Sequence, residues 1–162
     1  MQRGGAMEMP KPAEAHLKLR ALIGEWIGEE KLEPSPWDPK GGTAYGHVHN
    51  RSGLDGFAVI QDYEQERNGK ITFQGHGLFT WNQQEQNYVL YWFDSMGMPP
   101  NVFKGNFNGQ VLTLWTMSTQ GHSRAIFDFS QAGAYVYRME GSPDGKQWHL
   151  FLTGTYQRKD HR

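Results

Sequence analysis

"KITFQGHGLFTW", from Lys70 to Trp81, decides the fold. Phe73, Gly75, Gly77, Phe79 and Trp81 fall on one side of an extended chain, and Gln74, His76 and Thr80 on the other. A period of two marks a half-buried strand, with the ring-bearing side predicted inside and His76 in water. Asn68-Gly69 precedes the stretch, and Asp55-Gly56, Asn108-Gly109 and Asp144-Gly145 recur along the chain. Such pairs tolerate the positive φ that tight hairpin turns need. Between them about ten strands are predicted, near residues 25–32, 43–51, 56–66, 70–81, 87–95, 101–107, 110–117, 122–130, 133–140 and 146–158. Short links between successive strands favour an antiparallel meander, and this many twisted strands without a second helix layer most simply close on themselves. The predicted class is therefore all-β, an up-and-down β-barrel of about ten strands.

A single segment reads as helix. "AEAHLKLRALI", 13–23, places Leu17, Ala21 and Leu22 on one side, follows Pro12 and stops at Gly24, so a short N-terminal helix is expected to close one end. Residues 1–12 read as a flexible tail and 13–162 as one domain. A chain of 162 residues can bury roughly 70% of its unfolded surface. Mean hydropathy is low at -0.73, while aromatics reach 14%, so a few large rings must supply most of the core.

Sixteen basic and seventeen acidic residues give a formal charge of -1, with no basic block to track a phosphate backbone, which sets nucleic acid aside. The absence of cysteine excludes disulfides, thiolate metal sites and cysteine nucleophiles. No run approaches the ~18 apolar residues of a membrane span, and the start has no apolar signal region, so a cytoplasmic protein without a membrane partner is the expectation.

Alternation also assigns faces elsewhere. Phe57, Val59, Gln61 and Tyr63 are expected inside, as are Trp148, Leu150, Leu152, Gly154 and Tyr156, with His149 on the other side. In "YVLYWFDSMG", Tyr88 to Gly97, both faces are apolar, so parity alone does not choose between Tyr88, Leu90, Trp92, Asp94 and the set Val89, Tyr91, Phe93.

Several stretches resemble the bacterial family known as domain of unknown function 1579, and more distantly the calycin superfamily of lipocalins, fatty-acid-binding proteins and nitrobindins. They are "LIGEWIGEE" from Leu22, "RSGLDGFAVIQDYE" from Arg51, "FQGHGLFTW" from Phe73, "YVLYWFDSMG" from Tyr88 and "DGKQWHLFLTGTYQRK" from Asp144. The family pattern carries Tyr88, Trp92 and Asp94 together, which implies that this set faces inward. The calycin resemblance implies a Gly-x-Trp plug, here Gly24-Glu25-Trp26, stacked by Arg158 at the barrel floor. The family brings no established activity.

Counting strand directions from that floor puts Asp94 at the opposite rim, with Tyr63, Trp115, His122 and Arg124 near it and His47 and His49 deeper, while Arg51 falls near the floor. "EPSPWDPKGG" and "SMGMPPN" would flank the opening. The candidate ligand-binding residues are Tyr63, Trp92, Asp94, Trp115, Arg124 and His47, with Tyr135 as a further ring. A buried carboxylate needs a partner. Arg124 is the candidate, although the face it occupies stays open because Ser123, Ala125, Phe127 and Phe129 form the more apolar side. Asp94 capping its own loop is the plainer alternative.

His47-Val-His49 has a spacing that binds metal if a third ligand converges, but the downstream glutamate of cupins is missing. The nitrobindin similarity makes His149 the nearest equivalent of a haem ligand, on a face and in a motif that do not match. No cofactor and no metal are called for. Nor is any nucleophile motif present. The leading expectation is a calycin-like barrel binding a small aromatic or amphipathic molecule. The alternatives are an enzyme pairing Asp94 with His122 or His47, a haem- or metal-binding barrel, and a packed structural barrel. A homodimer is left open.

Overall fold

The computed structural model describes residues 7–159; the part of the expected tail at 1–6 lies outside them. A short α-helix, α1 (Glu14–Lys18), leads into a 3-10 turn (Leu19–Leu22). Ten strands follow: β1 (Gly24–Leu32), β2 (Gly42–Gly53), β3 (Ala58–Arg67), β4 (Lys70–Asn82), β5 (Asn87–Asp94), β6 (Asn101–Asn108), β7 (Val111–Ser118), β8 (Gly121–Asp128), β9 (Ala134–Ser142) and β10 (His149–Arg158). Each pairs antiparallel with the next, and β1 pairs with β10, so the sheet closes without an edge. The turns hold as expected at Asn68-Gly69, where both residues have positive φ (52° and 78°). No helix among the described residues is long and apolar enough to cross a membrane.

The helical segment differs from its prediction. The change from 3.6 to three residues per turn at Leu19 rotates the buried side. Leu19 and Leu22 are the buried residues, whereas Leu17 is 39% exposed. This segment closes the floor: Leu22 O accepts from Trp26 Nε1 at 2.9 Å and from Asn50 Nδ2 at 2.8 Å, and Ala15 O accepts from Tyr88 Oη at 2.7 Å. Arg158 lies 4.4 Å from the Trp26 ring centre and donates to Ile23 O at 2.7 Å. Above this plug the core is a stack of Val48, Val59, Phe79, Leu90, Phe103, Leu112, Leu114, Phe127 and Tyr135. Replacing Arg158 by Ala removes a cation–π contact and a charged hydrogen bond at the floor. A loss of about 1–2 kcal/mol is expected in urea unfolding, and an unchanged midpoint would show that the plug carries no stability.

Candidate functional site

Even positions of β5 face inward. Tyr88 and Leu90 are buried and Trp92 and Asp94 half-buried, while Tyr91 and Phe93 are exposed. The Trp92 indole lies over Gly75 and Gly77 of β4, where any Cβ would crowd it. Asp94 fixes that position: Oδ2 accepts from Trp92 Nε1 at 2.9 Å, and Oδ1 accepts from the Met96 backbone N–H at 3.0 Å. The carboxylate therefore both orients the indole and caps the loop that follows.

Deeper in the barrel stands a second carboxylate. Glu30 of β1 is fully buried at 0% exposure. Its Oε2 accepts from Tyr63 Oη at 2.7 Å and from Tyr156 Oη, and its Oε1 accepts from Gln65 Nε2 at 2.9 Å. All its partners are donors, so the acceptor oxygens of this buried carboxylate are satisfied inside the barrel. Gly46 and Gly154 supply the space, since a Cβ on either would collide with Glu30 or Tyr156. The Tyr63 ring joins the two carboxylate groups, lying 6.4 Å from Trp92 and 6.0 Å from Phe73.

Tyr63, Trp92, Tyr137 and Met139 pack inward against the core yet remain only partly buried. Their outer sides are closed off by the strand wall itself, so the exposed parts face a recess entered from the end opposite the Trp26 plug. Two open depressions, about 410 and 350 Å³, lie beside Glu29 and Thr43 of β1 and β2 and include none of these rings.

Of the predicted site residues, the structure brings Tyr63, Trp92 and Asp94 together. The other three face away from the interior. Trp115 and Arg124 lie opposite each other on β7 and β8, alternating with inward Leu114 and Ala125, and Trp115 is 45% exposed. Arg124 is bonded not to Asp94 but to Glu140 on β9, and its guanidinium stacks 4.1 Å from Trp148 and 5.2 Å from Trp115. His47 alternates with buried Gly46 and Val48, which turns it and His49 outward. His122 is likewise outside, beside Trp148. Arg51 pairs with Asp62 at 2.9 Å on the outer wall, where His76 also meets Asp62 at 2.7 Å. Tyr135 is buried in the core beneath the recess, 4.8 Å from Trp26.

One irregularity explains another departure. The β9–β10 register shifts between Leu150 and Leu152. The extra residue, Phe151, reverses parity toward the mouth. Leu152, Gly154 and Tyr156 face in as expected, but Leu150 sits opposite outward Glu140, and Trp148 packs outside against Trp115. His149 lies opposite Gly141, on the inner face at the exposed rim rather than on the outer face. Among the described residues, no three His, Asp or Glu side chains converge to hold a metal.

A family model described as "Protein of unknown function (DUF1579)" matches residues 11–158. The chain belongs to this family. No curated protein matches it. Solved structures give the DUF1579 chain its fold relatives. Rv2717c from M. tuberculosis has a TM-score of 0.64 at 14% identity, over 91% of this chain and 99% of that one. The S-type phycobiliprotein lyase CPES from Guillardia theta has a TM-score of 0.61 at 8% identity, over 93% and 100%. At such identities the likeness is one of fold.

Sequence reasoning missed the buried polar cluster of this DUF1579 barrel and the ring beside it: Glu30, Gln65 and Tyr137. The signal was present in β1, because Trp26, Gly28, Glu30 and Leu32 share the parity of the plug. Burial and the charge of Glu30 hold the phenols of Tyr63, Tyr137 and Tyr156 above the ordinary value; for Tyr135 burial leads, with Tyr137 and Glu30 adding to it. The unfolded chain then ionises first. As pH rises past about 10, it releases protons that the fold retains, and stability falls by ~1.4 kcal/mol per pH unit per phenol. Phenolate absorbance from these four is expected to appear together with loss of near-ultraviolet circular dichroism. Their titration in an intact barrel would contradict this.

Proposed function

We propose that this DUF1579 barrel binds a small aromatic or amphipathic molecule in the mouth half of its interior. The observation behind this is the set of inward rings, Tyr63, Trp92 and Tyr137, that keep part of their surface open to the recess. Binding sites of this kind are mostly apolar walls with few placed polar groups, and here Asp94 sets the angle of the Trp92 wall. Trp37 in the β1–β2 loop and Met96 and Met98 in the β5–β6 loop are 83%, 60% and 60% exposed. They flank the mouth and offer apolar cover for an occupant. The likeness in fold to a protein named as a phycobiliprotein lyase is compatible with an interior used for a ligand. The acid/base alternative has less support, because His122 and His47 stand outside the wall from Asp94.

Native mass spectrometry of the purified protein is the first test, expected to show a bound small molecule. Titration of that molecule into Asp94→Ala should then show affinity reduced by about ten-fold, since the indole loses its hydrogen-bonded orientation. Equal affinity in the variant would remove Trp92 and Asp94 from the site. A barrel with no bound or bindable small molecule would leave the packed structural reading.

A further inference from the structure

Resting on that reading, we propose that the occupant of the recess is an organic cation: an amine or other nitrogen base carried on a small aromatic or aliphatic body. The inward wall bears two carboxylates, Glu30 in its depth and Asp94 at its rim. Among the described residues no Lys or Arg points inward between them. Arg158 lies below, on the Trp26 plug, and Arg67 lies above, held by Asp38 at 2.7 Å and by Gly41 O at 3.0 Å in the mouth loop. His149, at the exposed rim, is the sole imidazole on the inner face of the described residues. Two carboxylates therefore stand on the inner wall with no basic side chain between them; the phenols of Tyr63 and Tyr137 are raised first by burial and then by the Glu30 charge.

The donors point the same way. Tyr63 and Tyr156 direct their hydroxyl hydrogens at Glu30, and Gln65 Nε2 donates to Glu30 and to Tyr63 Oη, so what the Tyr63 hydroxyl has left for the recess is acceptor capacity. The rings of Trp92, Tyr63 and Phe73 offer negative π-faces to a cation. A metal ion is the wrong occupant, because both Glu30 oxygens are engaged and the side chain is shut off from the recess. An organic cation needs no direct contact with Glu30: it can meet Asp94 at the rim and feel the Glu30 charge through the Tyr63 hydroxyl.

A matched indole series tests this by calorimetry on the full chain: tryptamine as the cation, indole-3-acetamide as the neutral form, indole-3-acetate as the anion. Tryptamine is expected to bind at least about ten-fold more tightly than indole-3-acetate, as one unscreened charge in a low-dielectric recess requires. The preference should shrink in Glu30→Gln, which keeps the shape and removes the charge. Should that variant fail to fold, Asp94→Asn at the rim carries the same expectation. Binding of all three compounds with equal affinity, or a preference unchanged in the folded variants, overturns the charge assignment and leaves the ring-lined site standing. Binding of none overturns both.

Discussion

Glu30→Leu is expected to cost about 3–5 kcal/mol, because it orphans the Tyr156 and Tyr63 hydroxyls and the Gln65 amide at ~1–3 kcal/mol each while restoring some apolar burial. The melting temperature should fall by roughly 10 °C or more. The cost comes from stranded donors rather than from the lost charge, and a double variant separates the two. Glu30→Leu with Tyr156→Phe should be less destabilised than the sum of the single changes, with a coupling of about 1–3 kcal/mol. Strict additivity in denaturant unfolding would show that the cluster is not a unit.

Gly28→Ala is expected to be as severe by a different route. Gly28 faces inward on β1, and a Cβ there would fall on the Thr155 carbonyl of β10. The obstacle is backbone held in a ladder, so neither a rotamer change nor a small relaxation clears it, and a loss of at least about 3 kcal/mol follows. Gly105 stands in the same relation to the Thr113 carbonyl on the other side of the barrel, and Gly105→Ala should behave alike. By contrast, Gly69→Ala meets no atom within 4 Å and strains only its positive φ, a loss of about 1 kcal/mol. Wild-type stability of Gly28→Ala in urea would mean that the two strands do not approach as described.

The barrel was legible because its signals are local. Alternation in β4 and turn pairs such as Asn68-Gly69 need no knowledge of the distant chain. Residues facing a ring-rich interior were legible where one face was plainly apolar, and Trp92 and Asp94 became so through family resemblance. Trp115, Arg124 and His47 were misplaced for a physical reason: charge and aromaticity suggest a site equally well on either side of a wall, and Arg124 finds its carboxylate in Glu140 on the neighbouring strand. Trp148 and Leu150 were misplaced because one bulged residue inverts parity without leaving a mark in the composition. Glu30 was overlooked because its partners, Gln65 and Tyr156, come from β3 and β10, and such a meeting exists only after the sheet has rolled up.

The joint between Gly24–Leu32 and His149–Arg158 also bears on how the molecule is made. During translation the first strand must stand with one flank unsatisfied until the last emerges, some ten seconds at ribosomal speed. Throughout that interval Glu30 lacks Tyr156 and the Trp26 plug lacks Arg158. The nascent chain is thus most vulnerable to sticking just before β10 emerges, and a cut within β10 would undo both ends of the interior at once.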